Sequence, residues 1–214
     1  MLNAAFEHVT EWVFDLDNTL YPRDARLFDQ IEVRMRDFIM RTLEVTAEEA
    51  SALRDGYWEA HGTTVAGLMK DHGIDPDPFL AEVHQIDLAR LDPAPDLAGR
   101  IAALPGRRIV YTNGSRRHAE RVLDARGLTR AFDDVFGVED ADYHPKPHQQ
   151  AFETVFTRAA LKASAAAMFE DDSRNLAVPH AMGLTTVLVG PASDPAPHID
   201  HVTEDLTDFL SQVV

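Results

Sequence analysis

Cysteine is absent from the 214 residues, which excludes disulfides, thiolate metal sites and a cysteine nucleophile. No apolar run approaches the roughly 18 residues of a membrane span, and the first residues carry no signal-peptide pattern. A cytoplasmic protein with no membrane partner is therefore expected. Basic residues are also few: 20 Lys and Arg stand against 36 Asp and Glu, a formal charge of −16. That balance argues against nucleic acid polymers as partners, because binding a phosphate backbone needs a basic face. A small anionic ligand is still admissible where a local cation or metal reverses the field. Internal repeats, low-complexity tracts and heptad runs are missing. Ten histidines are present, but none are paired at the helical spacing of a zinc site, and His198 and His201, in a Pro-rich stretch, read as solvated.

What is present is an ordered series of elements. Residues 9–14 read as a short buried strand, followed at once by Asp15 and Asp17 in "EWVFDLDNTLYP". An unpaired buried carboxylate is costly, so two of them behind one apolar run need partners. Residues 24–41 set Leu27, Ile31, Met35, Phe38 and Ile39 at helical spacing, with the aromatic and Met positions expected to pack on neighbouring helices. Thr46 opens a second helix with Glu48 and Glu49 in its first turn, where the helix dipole favours acids. A turn-rich stretch with a short helix follows, and residues 77–87 read as helical. Two prolines in "LDPAPDL" mark a junction. Residues 21–92 thus form an all-helical insert, and 1–20 with 93–214 form the rest of the molecule.

From residue 96 strand and helix alternate. "RRIVYTN" is a buried strand, and the next helix opens on Ser115 and closes on Gly127. A short strand or turn at 132–138, a helix near 148–160, a strand in "AAAMFEDD", a helix at 174–182 and the strand "TTVLVG" complete the pattern. Such alternation predicts an α/β fold, a parallel sheet covered on both faces. Ligands of such sheets lie beyond the carboxyl ends of the strands. Chemistry is then expected at Asp15, Thr112 and Asp171.

The polar residues at those ends suit one reaction. A carboxylate can attack phosphorus and divide a difficult displacement into two easier ones. Because nucleophile and phosphoryl group are both anionic, a hard cation is needed, and Mg²⁺ accepts carboxylates such as Asp15 and Asp171. Lys146 supplies a fixed positive charge, and Thr112 a hydroxyl donor. Asp17, two residues after Asp15, can protonate the leaving oxygen and then activate water. Asn18, Thr19, Asn113 and Gly114 share these strand ends as candidate phosphate-binding groups. Each element alone has a plainer reading, as a capped turn, a solvated lysine or a cluster of acids at a helix start. Their joint order is what points to chemistry.

With "DLDNT", "TNG", "HPKP" and "FEDDSRNL" in this order, the chain resembles the haloacid dehalogenase (HAD) superfamily. The resemblance implies a Rossmann-like core, Asp15 as nucleophile, Asp17 as acid/base, Thr112, Lys146 and a Mg²⁺-binding acid. It also implies that the helical insert is a C1-type cap. Asp171, with Asn175 four residues on, fits the family's metal acid; Asp17 joins the metal through its main chain, with Glu170 one step behind and Asp172 as the alternate ligand. "DLDNTLYP", "HGTTVAGLMKDHGID" and "EVHQIDLARLDPAPDL" are similar to the pyrimidine 5′-nucleotidase-type subgroup. The implied partner is a small phosphorylated metabolite, a pyrimidine nucleoside 5′-monophosphate, met by Tyr21, His61, Thr63 and Thr64, in a monomer or homodimer. Phosphoglycolate or sugar-phosphate chemistry, or a non-catalytic phosphate-binding role, are the alternatives.

Overall fold

The computed structural model describes residues 2–191 and 196–213. Helix α1 (Leu2–Phe6) leads to strand β1 (Glu11–Phe14). Trp12 and Phe14 enter one apolar cluster and Val13 another, as a strand buried on both faces requires. The Trp12 indole N–H donates to the Pro105 carbonyl at 2.7 Å, and Phe14 stacks on Phe169 with centroids 4.6 Å apart.

Every element between β1 and the next strand is helical. A 3₁₀ turn at Arg23–Ala25 precedes α2 (Leu27–Leu43), α3 (Ala47–His61), α4 (Thr64–His72), α5 (Pro76–Val83) and α6 (Pro95–Ala103). The continuous helix expected from residue 24 is interrupted, because Arg26 adopts left-handed backbone with φ 52°. Its apolar row also divides. Phe38 packs edge-on against Phe79 at 5.1 Å, whereas Ile31 and Met35 line a cavity, beside Phe28 from outside the expected row. Thr46 and Glu49 form a reciprocal capping box at the start of α3. Helix α5 stops before residue 87 because Arg121 draws the following chain away, donating to the carbonyls of His84 and Ile86 at 2.7 and 3.1 Å.

The remaining elements are β2 (Arg107–Tyr111), α7 (Arg116–Arg126), β3 (Asp134–Phe136), α8 (Gln149–Arg158), β4 (Ala166–Glu170), α9 (Ala177–Met182), β5 (Thr185–Val189), β6 (His201–Thr203) and α10 (Leu206–Val213). Ser115 caps α7 by accepting from His118 N–H, and Gly127 ends it at φ 68°. All six strands run parallel in the order β3-β2-β1-β4-β5-β6. This is the α/β sheet expected, and its order reverses between β1 and β4, where a crevice opens at the strand ends.

One expectation is corrected at the C-terminal side. His201 is half-buried on β6 rather than free in a loop, its ring 5.1 Å from that of Phe6, and the half-buried His198 has Nε2 2.9 Å from the Ser173 carbonyl. Part of the Pro-rich stretch, 192–195, lies outside the described residues. No helix among the described residues is long and apolar enough to cross a membrane.

Candidate active site

The sheet register assembles the site. Phe14 lies level with Val110 on one side and Phe169 on the other, so Asp15, Tyr111 and Glu170 follow at one height. Asp15 N–H donates to the Phe169 carbonyl at 2.9 Å. Into this row comes Lys146, from the loop before α8. Its Nζ donates to Asp15 Oδ1 at 2.7 Å, Glu170 Oε2 at 2.6 Å and the Tyr111 carbonyl at 3.1 Å. All three ammonium protons are used, which is what makes burial of the charge tolerable.

Asn113, expected to meet phosphate, lines the cavity and also braces this lysine. Its side chain donates to the Lys146 carbonyl at 3.0 Å and accepts from the Lys146 N–H at 2.8 Å. Gly62 closes on the same loop from the end of α3. At its φ of 82° an added Cβ would lie 3.1 Å from the Lys146 carbonyl oxygen, so the close approach and the backbone both favour glycine.

Oxygens of Asp15, Glu170 and Asp171 lie within 4.8 Å of one another. Two of these carboxylates, Asp15 and Glu170, share the one buried ammonium. Burial, then Glu170, pushes the Asp15 carboxyl up to about 8. Burial raises Glu170 to about 7 against the pull of Lys146, and burial with Asp15 raises Asp171 to about 6. Against burial, the two acids beside it hold the Lys146 ammonium well above its ordinary value. An all-carboxylate donor set short of positive charge fits a hard divalent cation. Asp171 Oδ2 meanwhile accepts from Arg23 Nη2 at 2.9 Å and Asn18 Nδ2 at 3.3 Å. Asp172, expected as the alternate ligand, is committed elsewhere. Its carboxylate takes Arg174 Nη2 at 2.6 Å and Arg174 N–H at 3.0 Å, and the same guanidinium lies 3.9 Å over the Trp58 ring.

Asp17 stands apart from that cluster. Its Oδ1 accepts from Tyr21 O–H at 2.6 Å and faces His118 Nε2 at 3.4 Å. Burial would raise this carboxyl, but His118 and Tyr21 outweigh it and hold it at about 2. Burial and Asp17 push the Tyr21 phenol far up, so it remains a donor. Tyr21 was expected to meet a ligand; it orients Asp17 and does not line the cavity.

The cavity, about 560 Å³, runs from these acids outward between α2, α3 and α5. Its inner end is Asp15, Asp17, Asn18, Thr112, Lys146 and Asp171; its walls include Phe28, Met35, Trp58, Val65, Phe79 and Val83. Thr112 Oγ1 accepts from Gly114 N–H at 2.9 Å, which leaves its own proton free and the Gly114 N–H committed. Thr63 lines the wall while capping α4, and the buried Thr64 lines it too. His61 does not: its carbonyl meets His148 Nε2 at 3.2 Å. Thr19 is buried away from the cavity, its hydroxyl without a partner among the described residues. His84, His118, Trp58 and Arg174 escape a sequence reading. A histidine on an amphipathic helix gives no sign of which strand end it will face.

Comparison with known proteins agrees with the fold. The haloacid dehalogenase-like hydrolase profile matches residues 13–183. Phosphate metabolism protein 8 of Saccharomyces cerevisiae is 25% identical over 192 residues, covering 82% of this chain and 60% of that protein. An (S)-2-haloacid dehalogenase of Xanthobacter autotrophicus is 34% identical over 101 residues, 46% of this chain and 39% of that one. The chain thus spans less than two thirds of these curated relatives. Among solved structures, a HAD phosphatase of Thermococcus onnurineus superposes with TM-score 0.63 at 18% identity, over 96% of this chain and 98% of that one. A HAD-hydrolase of Bacillus subtilis bound to magnesium gives 0.60 at 19%, over 96% and 98%. The L-2-haloacid dehalogenase of Xanthobacter autotrophicus with chloropropionic acid covalently bound gives 0.59 at 18%, over 96% and 98%. At these identities the structures speak for the fold, and the profile, over most of the length, for descent. The chain belongs to the haloacid dehalogenase-like hydrolases.

Proposed function

We propose that this protein is a Mg²⁺-dependent phosphate monoester hydrolase acting through an aspartyl phosphate on Asp15. The observation that carries this reading is Asp15 itself, at the inner end of the cavity with Oδ1 held by Lys146 at 2.7 Å and acid oxygens of Glu170 and Asp171 within 4.8 Å. Asp15 and Asp171 would hold Mg²⁺, joined by the Asp17 main chain, with Glu170 one step behind. Bound Mg²⁺ supplies the positive charge that lets an anion approach a phosphoryl group. A carboxylate oxygen of Asp15 attacks phosphorus and the ester P–O bond breaks. Asp17 passes a proton to the departing alcohol, then takes one from the water that hydrolyses the acyl phosphate and restores Asp15. Asp17 is anionic in the free protein, so it must take up a proton before it can act as the acid. Thr112 donates its hydroxyl proton to a phosphoryl oxygen, and Lys146 holds Asp15 in line.

Haloacid dehalogenation, the activity named for several relatives, expels a halide that leaves without a proton. It needs neither a proton donor at Asp17 nor a metal held by Asp15 and Asp171, which favours phosphoryl chemistry.

For the substrate we propose a pyrimidine nucleoside 5′-monophosphate, with residues 21–92 as a C1 cap that selects it. Phe28 and Trp58 are 41% and 46% exposed and line the outer cavity, a wall suited to a planar base, while Thr63 and Thr64 offer hydroxyl groups. A panel of phosphate monoesters assayed with Mg²⁺ tests this. UMP and CMP should exceed purine nucleotides, phosphoglycolate and sugar phosphates in kcat/KM, by about tenfold over the purines, the scale of one poorly fitting group. UMP and CMP falling below phosphoglycolate would reject the nucleotide assignment and leave the phosphatase reading standing.

A further inference from the structure

We propose that His118 is a positioning residue for Asp17, and that His84 locks it in place; this rests on the reading of Asp17 as the acid/base. His118 is 1% exposed, at the first turn of α7, with Nε2 3.4 Å from Asp17 Oδ1. Its other nitrogen, Nδ1, is buried and has no partner among the described residues. An N–H on Nδ1 would be a buried unmet donor, which is costly, so the N–H facing a partner is the one on Nε2, pointing at Asp17. The ring cannot swing away. His84 stacks on it with centroids 4.3 Å apart and planes 11° from parallel. His84 is itself fixed, through Nδ1 to Ser115 Oγ at 3.1 Å and through its carbonyl to Arg121 at 2.7 Å. Gly114 leaves the space: a Cβ there would lie 3.3 Å from His118 Cδ2 and 3.5 Å from His84 Nε2.

The placement gives this pair its meaning. The chain leaves the sheet for the helical segment past Tyr21 and returns past His84, and both crossings reach Asp17. Tyr21 O–H binds Oδ1 directly at 2.6 Å, and His84 acts on the same oxygen through His118. With Oδ1 taken twice, Oδ2 is the oxygen without a protein donor among the described residues, and it does the proton transfer. The carboxylate's rotation is thereby set from both ends of the helical segment.

The test compares His118→Leu with His118→Gln, both near the imidazole in size, only glutamine restoring an N–H. The probes are glycerol phosphate, whose alkoxide must be protonated to leave, and 4-nitrophenyl phosphate, whose phenolate leaves unaided. The measured quantity is kcat/KM with Mg²⁺, which reports steps up to alcohol loss. A misplaced acid loses part of its contribution of about 10²–10⁴-fold. His118→Leu should therefore lose roughly 30-fold or more on glycerol phosphate and under about threefold on 4-nitrophenyl phosphate. His118→Gln should recover most of the first loss. In Asp17→Asn the same split should be larger, and adding His118→Leu should deepen it no further. Equal losses on both esters in His118→Leu, beside an intact split in Asp17→Asn, would assign His118 to packing alone. Absence of the split in Asp17→Asn itself would overturn the reading of Asp17, and the role of His118 with it.

Discussion

Asp15→Asn should yield a folded protein whose turnover of any phosphate monoester is down by about 10⁴-fold or more, since removing a covalent nucleophile takes away the whole first step. An amide oxygen at that position can still accept from Lys146, so the geometry has no reason to change. The substitution should even relieve the fold. The Asp15 carboxyl, held at about 8 against an ordinary 3.8, binds a proton in the folded chain that the unfolded chain has lost between those values. Stability contributed by this group is present below the unfolded pKa and is lost as pH rises through the folded one. Glu170 at about 7 and Asp171 at about 6 act in the same direction. Asp17 acts oppositely, but near about 2, below the working range. In chelator, the wild-type melting temperature should fall between about pH 5 and about pH 8.5, and the Asp15→Asn protein should fall less steeply. Thermal denaturation across that range decides it: a wild-type melting temperature that rises with pH, or an Asp15→Asn enzyme that turns over normally, would refute the account.

The positions of the site residues were legible in the sequence, but the partners of many of them were not. Asp15, Thr112 and Asp171 can be placed because a parallel sheet sets its strand ends level, and an apolar strand followed by a polar residue marks such an end without any tertiary information; Lys146, on the loop before α8, has no such mark and was placed by the family resemblance alone. Local signals held for the same reason: the Ser115 cap, the Gly127 stop and the helix start at Thr46 depend only on neighbours in sequence. Partners were less legible than positions. Asn113, read as a phosphate-binding group, also braces the lysine 33 residues away, and Asp172, read as the alternate metal acid, is held by Arg174 two residues on. Helical spacing showed that Ile31 and Met35 share an apolar face, but periodicity cannot distinguish a face packed on helices from one facing a cavity. The short elements α1 and β6, five and three residues long, have too little periodicity to read, and β6 packs His201 where a solvated loop was expected.

Exhaustive chelation should abolish phosphatase turnover, and Mg²⁺ should restore it. Metal charge stabilisation of several kcal/mol corresponds to a loss on the order of 10³-fold or more. The carboxylates should divide cleanly. Asp171 contributes to the cluster with Asp15, and its burial leaves it 14% exposed at the cavity floor; Asp172 gives its oxygens to Arg174. Asp171→Ala should therefore lose Mg²⁺ binding by calorimetry together with turnover. In Asp172→Ala the metal should bind as in wild type, while the freed Arg174 loses its hold over Trp58 and KM for the substrate rises about threefold to tenfold, the cost of one disturbed wall contact. Binding also has a readout without turnover. A cation that gathers Asp15 and Asp171 favours their ionised forms, so Mg²⁺ should raise the melting temperature more at about pH 8 than at about pH 5. Activity that survives chelation would rule out the metal, and loss of Mg²⁺ binding in Asp172→Ala but not in Asp171→Ala would exchange the roles of the two acids.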